Sequence, residues 1–150
     1  MYIYKTKALL KLNEELFKSI KKNDIKKVKR LIKRGADVNA CDDWGCYPIH
    51  YAGVEHVDAR MSKVLIENGA NPNQRTDKSY TTPLHWACSW YIGKPPDLNA
   101  IGKIIILINN GSDVNAKDAD GKTPLDVASE CGNLDAVALL CKFPSIYGKM

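Results

Sequence analysis

Short apolar clusters recur along the chain: Val28, Leu31 and Ile32; Val64, Leu65 and Ile66; Ile106, Leu107 and Ile108; and Val137, Leu139 and Leu140. Charged or polar residues flank each one, so each predicts a helix that buries one side. A glycine phrase follows the first three, as Gly35-Ala36-Asp37-Val38-Asn39, Gly69-Ala70-Asn71-Pro72-Asn73 and Gly111-Ser112-Asp113-Val114-Asn115. Glycine at that point suits the left-handed residue that ends a helix. A second phrase runs in step, as Tyr47-Pro48-Ile49-His50, Thr82-Pro83-Leu84-His85 and Thr123-Pro124-Leu125-Asp126. Proline fits the first turn of a helix, where its missing N–H would have no partner, and the threonine before it can cap that helix. Stretches such as Ala116–Lys122 hold turn residues and no apolar stripe. Each unit therefore reads helix, turn, helix, then a protruding hairpin-like loop. The Asn-to-Pro steps are 9, 10 and 9 residues and the Gly-to-Gly steps are 34 and 42. A base period of about 33 with one long insertion accounts for both.

Two motifs, Asp-x-x-Gly-x-Thr-Pro-Leu at 118–125 and Gly-Ala-Asp-Val-Asn-Ala at 35–40, resemble the ankyrin repeat. The resemblance runs in register through nearly the whole chain. It implies one all-α domain over 1–150, a solenoid of about four helix-turn-helix repeats, at about 9–41, 42–76, 77–117 and 118–150. In the first unit Asn13-Glu14-Glu15-Leu16-Phe17 stands in place of the proline phrase, with Asn13 expected to cap its helix. Ala52, Ala87 and Ala128 lie four residues after each proline, where neighbouring inner helices would approach closely. Tyr80 replaces the usual loop glycine and Asp126 the usual histidine, so both local geometries are expected to change.

The resemblance also implies a non-catalytic protein-binding module that meets a partner on a concave surface of loop tips and inner helices. Carried onto this sequence, the contact residues are Asp43, Trp44 and Cys46, then Lys78, Ser79 and Thr81, then Ala119, Asp120 and Lys122. Val54, Glu55, Ser89, Trp90 and Glu130 add the ends of inner helices. Unit three carries about eight extra residues near Ser89–Leu98, and these bring in Trp90 and Tyr91. Trp44 and Trp90 are the expected anchors, because large amphipathic aromatics dominate interface energetics.

Charge adds a second feature. Residues 1–34 hold twelve basic and three acidic side chains, a net of +9; the remainder holds ten and fourteen, a net of −4. The basic stretch includes Lys21, Lys22, Lys26, Lys27, Lys29 and Arg30. It reads first as a solvated end face, second as a site for an acidic protein, and third as a nucleic-acid or nuclear-import element. The odd count of five cysteines, the absence of an apolar leader and the short longest aliphatic run, Ile104–Ile108, point to a reduced, cytoplasmic monomer with no membrane segment. Cys41, Cys46 and His50 are spaced like metal ligands but lack a fourth, so no metal and no cofactor are expected. His50 and His85 are expected to bond loop backbone, His56 to be solvated, and Cys88, Cys131 and Cys141 to fill small buried positions. Lysine outnumbers arginine 18 to 4. With the short repeat array, this loosely resembles ankyrin proteins of large DNA viruses and intracellular bacteria. That likeness implies a host-directed role in the host cytoplasm or nucleus.

Overall fold

A computed structural model describes residues 2–54, 56–89 and 98–143, with side chains from residue 6 onward. Its helices are α1 (Tyr2–Lys21), α2 (Ile25–Lys33), α3 (Pro48–Tyr51), α4 (Ala59–Glu67), α5 (Pro83–Ser89), α6 (Leu98–Asn109), α7 (Pro124–Glu130) and α8 (Leu134–Leu140). There are no strands among the described residues, and no described helix is long and apolar enough to cross a membrane.

Consecutive helices pair, and like helices stack in two rows. The inner row runs α1, α3, α5, α7; the outer row runs α2, α4, α6, α8. This nearest-neighbour pattern is that of a solenoid. The core lies between the rows. Leu16, Ile49 and Leu84 from inner helices and Val28, Leu65 and Leu107 from outer helices are each at most 1% exposed, and Leu31 is 3% exposed. Ala52, Ala87 and Ala128 are buried at the inner-row contacts, as their size predicts. Gly53 serves the same close approach, since a Cβ there would stand 3.1 Å from Cβ of Trp86.

The first unit departs from expectation in register. Asn13 lies inside α1 and caps nothing; its Oδ1 accepts from the Asp37 amide at 2.8 Å. Ser19, 1% exposed, occupies the place of Ala52, Ala87 and Ala128. The turn bonds prove the equivalence. Asp24 N donates to Ser19 O as Asn133 N donates to Ala128 O, both at 2.9 Å. Asp24 then caps α2 as Asn133 caps α8. Asn23 takes φ +56 where the last unit has Gly132 at φ +70; asparagine is the residue besides glycine that tolerates this region.

The loops lock to one another through side-chain amides. Asn39 Nδ2 donates to Gly69 O at 3.0 Å, and Asn73 Nδ2 donates to Gly111 O at 2.8 Å. Asn73 Oδ1 in turn accepts from Asp113 N at 2.7 Å. The asparagines of the first two glycine phrases thus bind the next unit, and Asn13 heads the row. Lys103 is buried in α6 and donates from Nζ to Val54 O of the preceding unit.

Candidate protein-binding face

Three hairpins project beside the inner helices. Each closes through a backbone bond: Asp42 N to Cys46 O, Thr76 N to Thr81 O and Asp118 N to Lys122 O, at 2.9, 3.0 and 2.9 Å. In the outer two, one carboxylate oxygen organises the turn. Asp42 Oδ1 accepts from Trp44 and Cys46, and Asp118 Oδ1 from Asp120 and Lys122. The middle hairpin is one residue longer. Thr76 replaces the aspartate, and Tyr80 holds the left-handed position at φ +53 that Gly45 and Gly121 hold at φ +77. Adjacent hairpins are stitched by Asp77 N to Gly45 O at 3.0 Å and Ala119 N to Ser79 O at 2.9 Å.

Histidines tie each inner helix to the hairpin beyond it. Tyr47 N donates to Nδ1 of His50, and Nε2 donates to Gln74 O and Thr81 O at 3.0 and 3.2 Å. The Thr82 amide and hydroxyl donate to Nδ1 of His85, and Nε2 donates to Lys122 O at 2.8 Å. Both rings are therefore neutral, with the proton on Nε2. Burial holds their pKa values below the ordinary histidine range. With both ring nitrogens engaged, His50 cannot join Cys41 and Cys46 on a metal. Among the described residues no cluster of three or more His, Cys, Asp or Glu could hold one. Asp126 keeps the near half of the histidine's work: Thr123 N and Oγ1 both donate to its Oδ2 at 2.9 Å. It is too short for the far half, and α8 is the last described helix.

An aromatic row crosses the inner face. Phe17 meets Tyr51 edge-on at 5.7 Å between ring centroids, and Tyr51 meets Trp86 edge-on at 5.6 Å. Lys21 Nζ sits 4.2 Å from the Tyr51 ring centroid, a cation–π contact. Tyr51 OH donates to Asp42 Oδ2 at 2.6 Å, and Trp86 Nε1 donates to Thr81 Oγ1 at 3.0 Å. Beyond Trp86 a cleft of about 150 Å³ opens, lined by Thr81, His85, Trp86, Ser89 and Val127. That volume is below the ~300 Å³ at which small-molecule pockets begin. It suits one inserted side chain.

The sequence-derived contact residues fall into two groups. Asp43, Trp44, Lys78, Ala119 and Asp120 stand exposed at the hairpin tips, Trp44 at 72%. Sign alternates along the tips from Asp43 to Lys78 to Asp120. Other residues are engaged internally: the hydroxyls of Ser79 and Thr81 bond each other and Thr76, and Lys122 pairs with Glu130 at 2.8 Å. Cys46 is half-buried, and burial followed by the Asp42 charge pushes its thiol pKa up. Glu55, Trp90 and Tyr91 lie outside the described residues. Tyr51 and Trp86 were not picked out from sequence, although both stand three residues after the phrase proline, an offset shared with Val127. Of the other cysteines, Cys88 is buried as expected, but Cys131 is half-buried and Cys141 exposed, because the last unit has no described neighbour to cover it. His56 is exposed yet bonded, donating to Lys21 O at 2.7 Å and so closing the end of α1.

The basic stretch sits at the opposite end, where Lys21, Lys22, Lys26, Lys29 and Arg30 are exposed. Lys27 is half-buried and spent on Glu15 at 2.7 Å.

Comparison with known proteins agrees with this architecture. A family profile of ankyrin repeats in three copies matches residues 16–100, and one of ankyrin repeats in many copies matches residues 104–140. An ankyrin repeat protein of fowlpox virus is 25% identical over 130 residues, covering 87% of this chain and 20% of the viral protein. Human neurogenic locus notch homolog protein 2 is 35% identical over 114 residues, covering 76% of this chain and 4% of that protein. Human cyclin-dependent kinase 4 inhibitor B is 28% identical over 116 residues, 77% of each chain. The chain spans a fifth or less of the length of the viral and notch proteins it matches. It belongs to the ankyrin repeat family, whose members are generally non-catalytic modules for protein–protein interaction.

Proposed function

We propose that the chain binds a partner protein across its hairpin tips and inner helices. The observation that carries this reading is the combination of an exposed tryptophan at the first tip with the Tyr51–Trp86–Val127 row behind it. An indole 72% exposed contributes little to the chain's own stability and is suited to burial by another surface. A partner side chain entering the cleft between Trp86 and Val127 would add a second anchor. Asp43, Lys78 and Asp120 would set orientation and on-rate through their alternating sign. The loops and helices are already locked together, so docking orders little and loses little entropy.

Similarity to the fowlpox virus protein supports a host-directed use of this face, with the chain working as a monomer in the host cytoplasm or nucleus. The test is affinity capture from the cell in which the protein acts, followed by titration of the captured partner. Trp44→Ala is expected to weaken that partner by more than about 1 kcal/mol at an unchanged melting temperature. Binding unaffected by both Trp44→Ala and Val127→Glu would remove the proposal.

A further inference from the structure

The longest helix carries an end that the repeat fold does not use. With Ser19 in the place of Ala52, α1 comes into register with α3 at about Glu14, yet it begins at Tyr2. Some twelve residues precede that point, about 18 Å at the helical rise; of these, Leu12 packs against the core and Asn13 bonds Asp37. Leu9 and Leu10 in this stretch are 41% and 56% exposed. Between it and α2 runs an open trough of about 480 Å³, lined by Ala8, Lys11, Leu12 and Glu15 on one side and Lys27, Leu31 and Arg34 on the other. Its floor is apolar: Ala8, Leu12 and Leu31. Its rim is basic, because Glu15 is paired with Lys27 at 2.7 Å, and Lys11 and Arg34 have no ion-pair partner among the described residues.

Charge selects the occupant. The trough belongs to the segment 1–34, which carries +9, so a second copy would bring two strongly basic ends together. An acidic segment meets the opposite condition. The trough lies along two helices with an apolar floor between charged edges, and a helix with apolar residues at i, i+3, i+4 and i+7 matches that shape. We propose that the trough docks an acidic amphipathic helix of a partner protein, whose apolar stripe covers Ala8, Leu12 and Leu31 and whose carboxylates meet Lys11 and Arg34. This surface is separate from the hairpin face.

The probe is a synthetic helix of about 18 residues with leucine at the stripe positions and glutamate beside them, titrated at about 0.15 M salt. Two controls accompany it: a scrambled peptide of identical composition, and one with lysine for glutamate. The striped acidic peptide is expected to bind at least about tenfold tighter than either. Lys11→Glu with Arg34→Glu should cost it about tenfold or more. Lys22→Glu with Lys26→Glu, the same change in net charge elsewhere on the basic end, should cost less than about threefold. All four residues are exposed, so folding is retained. Trp44→Ala should leave this binding unchanged while weakening the hairpin-face partner. Equal affinity for the scrambled peptide, or equal losses in the two charge-reversed pairs, would reduce the effect to bulk charge and overturn the proposal. So would concentration-dependent dimers dissolved by Ala8→Glu, which assign the trough to a second copy. Tighter binding of a DNA duplex dependent on Lys22 and Lys26 would overturn it as well.

Discussion

His85 reaches across a unit boundary to Lys122: its Nε2 donates to the Lys122 carbonyl at 2.8 Å while its Nδ1 accepts from Thr82, the residue just before its own helix. Protonating Nδ1 would break the second arrangement, and His50 is bound in the same way to Gln74 and Thr81. Both rings have pKa values lowered chiefly by burial. The unfolded chain therefore takes up more protons as pH falls below about 6.5. Stability should be fully present above that pH and decline as pH falls from there through the lowered folded-state values. The Asp58 carboxyl, held at about 2 by Arg60, titrates lower and does not confuse this window. Urea midpoints between about pH 7.5 and 5 should fall, and His85→Ala should flatten the fall while costing about 2–3 kcal/mol at neutral pH. A midpoint independent of pH in that range would contradict the neutral, bridging histidines.

Asn73 joins two units with both ends of its amide, to Gly111 O and Asp113 N. Asn115 occupies the same place one unit later and has no side-chain bond among the described residues. Asn73→Ala should cost about 1–3 kcal/mol, and hydrogen exchange should speed up in residues beyond 110 more than in residues before 40. Asn115→Ala should change stability by no more than about 0.5 kcal/mol. Equal costs for the two would show that the amide row does not couple the units.

Tyr80 sits at φ +53, where a residue with a Cβ is strained by about 1–2 kcal/mol, and its ring is half exposed. Tyr80→Gly should stabilise the fold or leave it unchanged in thermal denaturation. Gly45→Ala should do the opposite, because at φ +77 its new Cβ would stand 2.7 Å from Cβ of Asp77. A destabilising Tyr80→Gly would mean that the ring contributes more than the strained backbone costs.

Cys88 is fully buried and its thiol pKa is pushed up to about 12, chiefly by burial. Burial also raises that of Cys46. Cys141 is exposed. Thiol-reactive dye at neutral pH should label Cys141 first and Cys88 only on unfolding. Early labelling of Cys88 would show that the α5–α7 contact opens in the native protein.

The repeating units were legible because their markers are tied to backbone needs: glycine at the left-handed helix end, proline in the first turn, alanine where inner helices touch. Gly69 at φ +97 and the Thr123 cap on α7 follow directly from those needs. The first unit lacked the markers. Asn13 looked like a cap by residue type, whereas the fold placed Ser19 and Asn23 at the diagnostic positions and used Asn13 for a bond to Asp37, 24 residues away. Exposure at the hairpin tips was legible for Asp43, Trp44 and Lys78. It was not for Thr81, whose hydroxyl is claimed by Trp86, because that bond depends on how the helix faces the loop. Tyr51 and Trp86 carried a usable signal, a shared offset from the proline, that composition alone does not reveal.

Partner contact is tested most directly by a photo-crosslinking side chain placed, one position at a time, at 44, 78 and 120 on the hairpin tips and at 63, 67 and 105 on the outer helices, all exposed sites. The captured partner should be crosslinked from the three tip positions and not from the outer-helix positions. Crosslinking from 63, 67 or 105 with none from the tips would place the partner on the other side of the stack and contradict it.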